Sequence, residues 1–153
     1  MRLIAIAALA LGASAVAVAQ QGLPPEAMFC HPSSYKYDAV AAAPATHKVL
    51  FEDEHVRVLE INLPSQASEQ IHVHALPSVI MGETGGEGGA KFRYTEYRME
   101  DGKFVETGFN DVEPSAGYRA VWTGPEGPHR ITNAGQVSVK FQRIEIKPES
   151  CAK

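Results

Sequence analysis

Residues 69–76 read Glu-Gln-Ile-His-Val-His-Ala-Leu, and the fold can be worked out from this stretch. A β-strand turns successive side chains to opposite faces, so His72 and His74 share one face, with Gln70 on the same side. Two imidazoles placed in this way are a metal-ligand pair. A third histidine, His129, follows Gly124-Pro125-Glu126-Gly127-Pro128, residues that set a turn before it, and a strand-like run comes after. His72, His74 and His129 are therefore expected to meet inside a β-barrel.

Outward from the pair, the chain from His47 reads as short strands separated by turn residues. HKVLFED and HVRVLEINL are rich in Val, Leu and Ile and meet at Glu52-Asp53-Glu54, which predicts an antiparallel hairpin. Val56 and Val58 share one parity while Leu59, Ile61 and Leu63 share the other, a switch that predicts a bulge or a strand buried on both faces. His47 and His55 stand at strand starts among charged residues and are assigned to the surface. Substituting His47 is accordingly expected to leave metal binding unchanged. The Gly-rich segment Gly82–Gly89 has no Lys and leads into a strand, so it fails as a phosphate cradle and is expected to be a mobile loop. Asp101-Gly102 is the chemistry of a two-residue type I′ hairpin. GYRAVWT and VSVKFQRIEIK supply later strands, and no amphipathic helix is expected between Thr46 and Lys147. The class is all-β, a sandwich or barrel.

The first 19 residues, one Arg followed by an apolar run ending in Ala17-Val18-Ala19, have the pattern of a secretory signal peptide. Their apolar stretch is shorter than the ~20 residues a spanning helix needs. Residues 20–46 are rich in Pro, Ala, Ser and Tyr, an irregular extension with one helical turn near Tyr37–Ala42. Tyr35 and Tyr37 are expected to cover a sheet edge. Residues 47–148 then form the β-domain and 149–153 a tail. A periplasmic or secreted protein has oxidising surroundings, so the two cysteines, Cys30 and Cys151, are expected to be bonded. Without Arg2 the formal charge goes from −4 to −5. With no cluster of Lys and Arg, nucleic acid is excluded as a partner, and an anionic membrane surface is disfavoured after processing.

His72-x-His74 within a strand, then a Gly-Tyr-x-x-x-Trp strand and PEGPHRITNAG, resemble the two signature motifs of the cupin superfamily. EDEHVRVLEINLPSQ before the pair resembles small single-domain exported bacterial cupins of unassigned function. The resemblance implies a double-stranded β-helix, the cupin jelly roll, over about residues 48–147. It also implies that His72, His74 and His129 are metal ligands, with Asn133 at the trailing position of the second motif. The carboxylate that the first motif supplies after its histidines is missing, since Leu76-Pro77-Ser78-Val79 stands there; Gln70 has the parity to approach the gap. Neutral imidazoles suit one divalent transition metal, Zn, Mn, Fe, Ni or Cu. Met81, Tyr94 and Trp122 are expected as pocket walls, and Arg93, Arg98, Arg119 and Arg130 as candidate anchors for a carboxylate. Two function classes stay open. One is a metal-dependent oxygenase or isomerase acting on a small organic acid, and the other is a non-catalytic, metal-free module binding a small organic molecule. An edge strand offers a route to a homodimer.

Overall fold

A computed structural model describes residues 28–83, 90–113 and 117–152. The signal peptide expected at residues 1–19 lies outside these residues, as do positions 84–89 of the expected mobile loop, whose first two residues, Gly82 and Glu83, instead end a strand, with Gly82 buried against Phe141. Nine strands are formed: β1 (His47–Glu52), β2 (Val56–Leu63), β3 (His72–His74), β4 (Ser78–Glu83), β5 (Phe92–Glu100), β6 (Lys103–Val112), β7 (Tyr118–Thr123), β8 (Glu126–Asn133) and β9 (Val139–Ile146). They make a five-stranded sheet, β1-β2-β9-β4-β7, and a four-stranded sheet, β3-β8-β5-β6, with antiparallel pairing throughout.

Local chemistry explains the turns. Asp53 Oδ1 accepts from the backbone N of His55 and Val56, both at 2.8 Å, which closes the β1–β2 hairpin. Asp101 and Gly102 take positive φ of 49° and 77°, the conformation expected of a type I′ turn. Asn133 is fully buried. Its Nδ2 donates to the carbonyls of Leu63, Pro64 and Val137, and its Oδ1 accepts from Gly135 N, so one amide fixes the turn into β9.

The extension also packs on the sheets. Pro32–Ser34 form a 3-10 turn, and α1 (Ala39–Ala42) is capped by Asp38, whose Oδ1 accepts from Val40 N at 3.1 Å. Val73 N donates to the Tyr37 carbonyl at 2.8 Å, and Asp38 pairs with Val73, so residues 37–38 cover the free edge of β3. Cys30 and Cys151 are bonded, with Cα atoms 5.3 Å apart. Among the described residues no helix is long and apolar enough to cross a membrane.

Two expectations about strand register are corrected. In β2 the inward row is Arg57, Leu59, Ile61 and Leu63, unbroken. The apparent parity switch is a buried arginine and not a bulge. The bulge lies in β1, where the register shifts between Val49 and Phe51. In GPEGPHRITN the expected turn directly before His129 is absent, because β8 runs through Pro128. Although β8 has strands on both sides, its register against β3 shifts between His72 and His74, and this irregularity accommodates a residue without an N–H.

The interior is divided. Leu63, Ala90 and Val139, with Phe92, Ile131 and Phe141 against them, form an apolar cluster. Beyond it the sheets enclose polar groups: His47, Arg57, Glu69, His72, His74, His129, Arg143 and Glu145 are all at least nine-tenths buried. That polar half defines the site.

Candidate metal centre

Four of the six histidines converge between the sheets. His72 and His74 come from β3, His129 lies opposite His72 on β8, and His47 opens β1 in the facing sheet. Ring centroids are 4.4 Å apart for His72 and His129, 4.6 Å for His47 and His72, and 5.0 Å for His72 and His74. The surface assignment of His47 is therefore corrected: it is 4 % exposed, and its ring nitrogen lies within 4.8 Å of those of His72 and His74. It shares its inward parity with Val49, opposite Ile61 and Leu59. His55 is exposed.

Each ring is held through Nδ1. His72 Nδ1 donates to the Gln70 carbonyl and His129 Nδ1 to the Gly127 carbonyl, both at 2.8 Å. His74 Nδ1 lies 2.8 Å from Glu145 Oε1, and His47 Nδ1 lies 3.0 Å from Thr46 Oγ1. A carbonyl or carboxylate oxygen only accepts, so in His72, His74 and His129 Nδ1 carries the proton and Nε2 presents a lone pair, while His47 Nδ1 faces a hydroxyl, which can donate or accept, and lies 3.4 Å from the Ala43 carbonyl. Burial lowers the pKa of His47 and His72 to about 3 and of His129 to about 4, and holds His74 well below its ordinary value. Neutral rings are thus the resting state near pH 7. Buried His72 Nε2 has no hydrogen-bond partner.

A carboxylate is present after all, on the other side of the pair. Glu69 is 3 % exposed, with Oε1 3.9 Å from His47 Nε2 and Oε2 3.9 Å from His72 Nε2. Burial pushes its pKa up to about 7. These separations exceed a hydrogen bond. Two ligands of one ion lie at most about 4.4 Å apart when each bond is about 2.2 Å, so the donors stand within a few tenths of an ångström of shared coordination. Uncharged nitrogen lone pairs beside one acid make a donor set that fits a divalent transition metal.

A buried network of charges supports His74. Arg57 Nε donates to Glu145 Oε2 at 2.6 Å, while Nη1 and Nη2 donate to Asp38 Oδ1 and Oδ2 at 2.9 and 2.6 Å. Burial works against the charge on Arg57, yet the bonds to Asp38 and Glu145 outweigh it and raise its pKa. Arg143 Nη1 pairs with Glu126 Oε2 at 2.5 Å.

A cavity of about 240 Å³ opens on the histidines, walled by Ile61, Ile80, Phe92, Ile131 and Phe141, with Tyr94, Glu69, Glu126 and Arg143 as further polar groups. Tyr94 stacks on His129, centroids 4.9 Å apart and planes 16° from parallel. Three expected pocket residues are displaced. Gln70 is exposed and offers only its carbonyl. Met81 does not line the cavity, because its neighbour Ile80 holds the inward position on β4. Trp122 is 61 % exposed on the outer side of β7. None of Arg93, Arg98, Arg119 and Arg130 lines the cavity; Arg143 does.

This architecture matches solved structures. A cupin domain from Bordetella pertussis Tohama I aligns at 20 % identity over 67 % of this chain and 92 % of that one, with a TM-score of 0.51. An RmlC-like cupin family protein with a double-stranded β-helix fold from Methanocaldococcus jannaschii aligns at 16 % identity over 70 % and 84 %, TM-score 0.43. A predicted oxalate decarboxylase from Thermotoga maritima aligns at 18 % identity over 67 % and 79 %, TM-score 0.37. No protein-family model matches the sequence, and the search of curated proteins finds no match. The chain has the cupin fold, a double-stranded β-helix, and the fold carries a histidine cluster able to hold a metal.

Proposed function

We propose that the cavity holds one divalent transition metal and that the protein, exported and disulfide-bonded, acts there on a small organic molecule. The observation that carries this reading is the set of four buried imidazoles, three of them anchored through Nδ1 on oxygens that only accept and so turning acceptor Nε2 atoms into one space. A metal-free module would leave the buried His72 Nε2 without a donor, at about 1–3 kcal/mol. Protonation does not relieve this at neutral pH, since burial holds the rings neutral.

His47, His72 and His74 would hold the ion, with His129 and Glu69 beside it. A bound dication supplies Lewis acidity toward an oxygen of the bound molecule. The chain's own groups do the rest. Apolar walls exclude water, and Tyr94 fixes the His129 ring. Glu69, titrating near neutrality, holds or releases a proton between His47 and His72. Arg143 Nε and Nη2 lack hydrogen-bond partners among the described residues and suit a carboxylate. An oxygenase or isomerase acting on a small organic acid is the activity that suits these groups.

Elemental analysis of untagged protein tests the reading, with one Zn, Mn, Fe, Ni or Cu per chain expected. If calorimetry finds uptake of none of these ions at neutral pH, the non-catalytic binding module takes its place.

A further inference from the structure

The cavity wall changes character along the strands that build it. On β9 the inward row runs Val139, Phe141, Arg143, Glu145, from the apolar cluster to the buried charges. Its partners on β2 run the same way, Leu63, Ile61, Leu59, Arg57. Arg143 stands where the two halves meet, 4 % exposed and lining the cavity. Its guanidinium is only partly used. Nη1 is taken by Glu126 Oε2 at 2.5 Å, whereas Nε and Nη2, both buried, have no hydrogen-bond partner among the described residues. Glu145 Oε1, 3.8 Å from Nε, is beyond hydrogen-bond reach and already accepts from His74 Nδ1. Nε and Nη2 together are the side of the guanidinium fork that takes both oxygens of one carboxylate. The chain makes that pairing on its surface, where Arg93 Nε and Nη2 hold Asp111 Oδ1 and Oδ2 at 2.7 and 2.9 Å.

We propose that the molecule taken by this cavity is a monocarboxylic acid with a single ring-sized apolar body, its carboxylate seated on Arg143 Nε and Nη2 and its body lying among Ile61, Ile80, Phe92, Ile131 and Phe141. It rests on the reading of the cavity as a site for a small organic molecule. One carboxylate is specified because Arg143 is the only permanent cation among the described residues of the lining, where Glu69 and Glu126 also stand. A second carboxylate, or a phosphate, would have those acids for neighbours and no fork of its own. An apolar body is specified because the walls beyond Arg143 are hydrocarbon. A hydroxyl-rich body such as a sugar would lose its water there to side chains that offer no hydrogen bond. Size fits the same class. An apolar cavity of about 150 Å³ takes a benzene ring, and about 240 Å³ leaves room for that ring and a carboxyl group. Val112, paired with Phe92 and 47 % exposed, marks the apolar end as the mouth, so the acid enters carboxylate first, with that end toward the histidines.

Phenylacetate is the probe, titrated calorimetrically into the disulfide-intact protein in metal-loaded and chelator-stripped form. One molecule per chain should bind in both forms, since neither the fork nor the walls need the ion. Acetate, which lacks the ring, should bind roughly 10–100-fold more weakly, the worth of burying one phenyl group. Benzyl alcohol, which lacks the charge, and phenylmalonate, which adds a second carboxylate, should each bind about tenfold more weakly or worse. Arg143→Lys keeps a cation but loses the fork, and should weaken phenylacetate by about tenfold or more. The ligand comparisons use the unaltered chain and stand whether or not that variant folds. Equal affinity for any of the three comparison ligands, binding that survives Arg143→Lys, or binding that requires the ion overturns the inference. Protein that takes up a metal and ignores phenylacetate overturns it and leaves the metal reading intact. Protein that binds phenylacetate and no metal upholds it and removes that reading.

Discussion

Taking the metal-free protein from pH 7 to pH 5 should remove about 4 kcal/mol of folding stability. Burial holds His47 and His72 to about 3 and His129 to about 4, whereas an unfolded imidazole titrates near 6.5. Their contribution is complete above the unfolded value and is lost as pH falls toward the folded values, because the unfolded chain takes up protons that the folded one refuses. Between pH 7 and 5 each ring loses about 1.9 kcal/mol, and the three together about 6. Glu69 acts in the opposite sense. Its folded pKa, pushed up to about 7, makes its contribution largest at acid pH and diminishing as pH rises through 7, so acidification returns about 2 kcal/mol. His74, also depressed, adds to the loss. A domain with a total of 5–15 kcal/mol should feel this plainly. Urea unfolding of chelator-treated protein at pH 7, 6 and 5 should show the midpoint falling at each step. A midpoint that stays level or rises toward pH 5 would refute the reasoning, since it would mean that the rings are solvated and free to protonate.

Other substitutions test separate parts of the molecule. His47→Ala should weaken metal binding by about 100-fold or more in calorimetry, reversing the expectation drawn from its place at a strand start, while exposed His55→Ala should leave binding unchanged. Glu145→Gln should lower metal affinity about 10–100-fold, because His74 loses the carboxylate that orients its ring. Arg57→Met leaves Asp38 and Glu145 buried without their cation and should cost about 3–5 kcal/mol in urea titration. Gly82→Ala should lower stability by about 1–3 kcal/mol, since a Cβ there would stand 2.7 Å from Phe141 Cβ.

Alternation and turn chemistry made the all-β class legible, and the one-strand spacing of His72 and His74 placed both on the cavity side. The rest was hidden for physical reasons. The rule that charged residues face water sends Arg57, Arg143 and Glu145 outward, yet they continue the inward rows of Leu59–Ile61–Leu63 and Val139–Phe141. Only their mutual pairing makes that burial tolerable, and pairs 88 residues apart leave no local trace. His47 was masked by the bulge after Val49, which puts Phe51 and His47 on opposite faces despite their equal parity. Glu69 precedes β3 in irregular backbone, where strand parity, the argument that favoured Gln70, does not apply. Trp122 carried the prior that a lone tryptophan is core, whereas the register of β4 and β7 turns it outward beside Val79.

The buried charges also explain why the extension has to be counted with the site. Asp38 lies outside the expected β-domain, yet it supplies both oxygens that hold the Arg57 fork. Arg57 in turn holds one oxygen of Glu145, whose other oxygen accepts a hydrogen bond from His74 Nδ1. Burial raises the pKa of Glu145, and Arg57 is the principal influence opposing this and favouring the charged form. Take Asp38 away and Arg57 has one acid where it had two, so its hold on Glu145 changes, and with it the direction in which His74 presents Nε2. The Cys30–Cys151 bond and the donation from Lys147 Nζ to the Cys30 carbonyl at 3.0 Å fasten the extension a few residues upstream of that carboxylate. A disulfide 121 residues long in sequence therefore acts on the histidine cluster through three side chains.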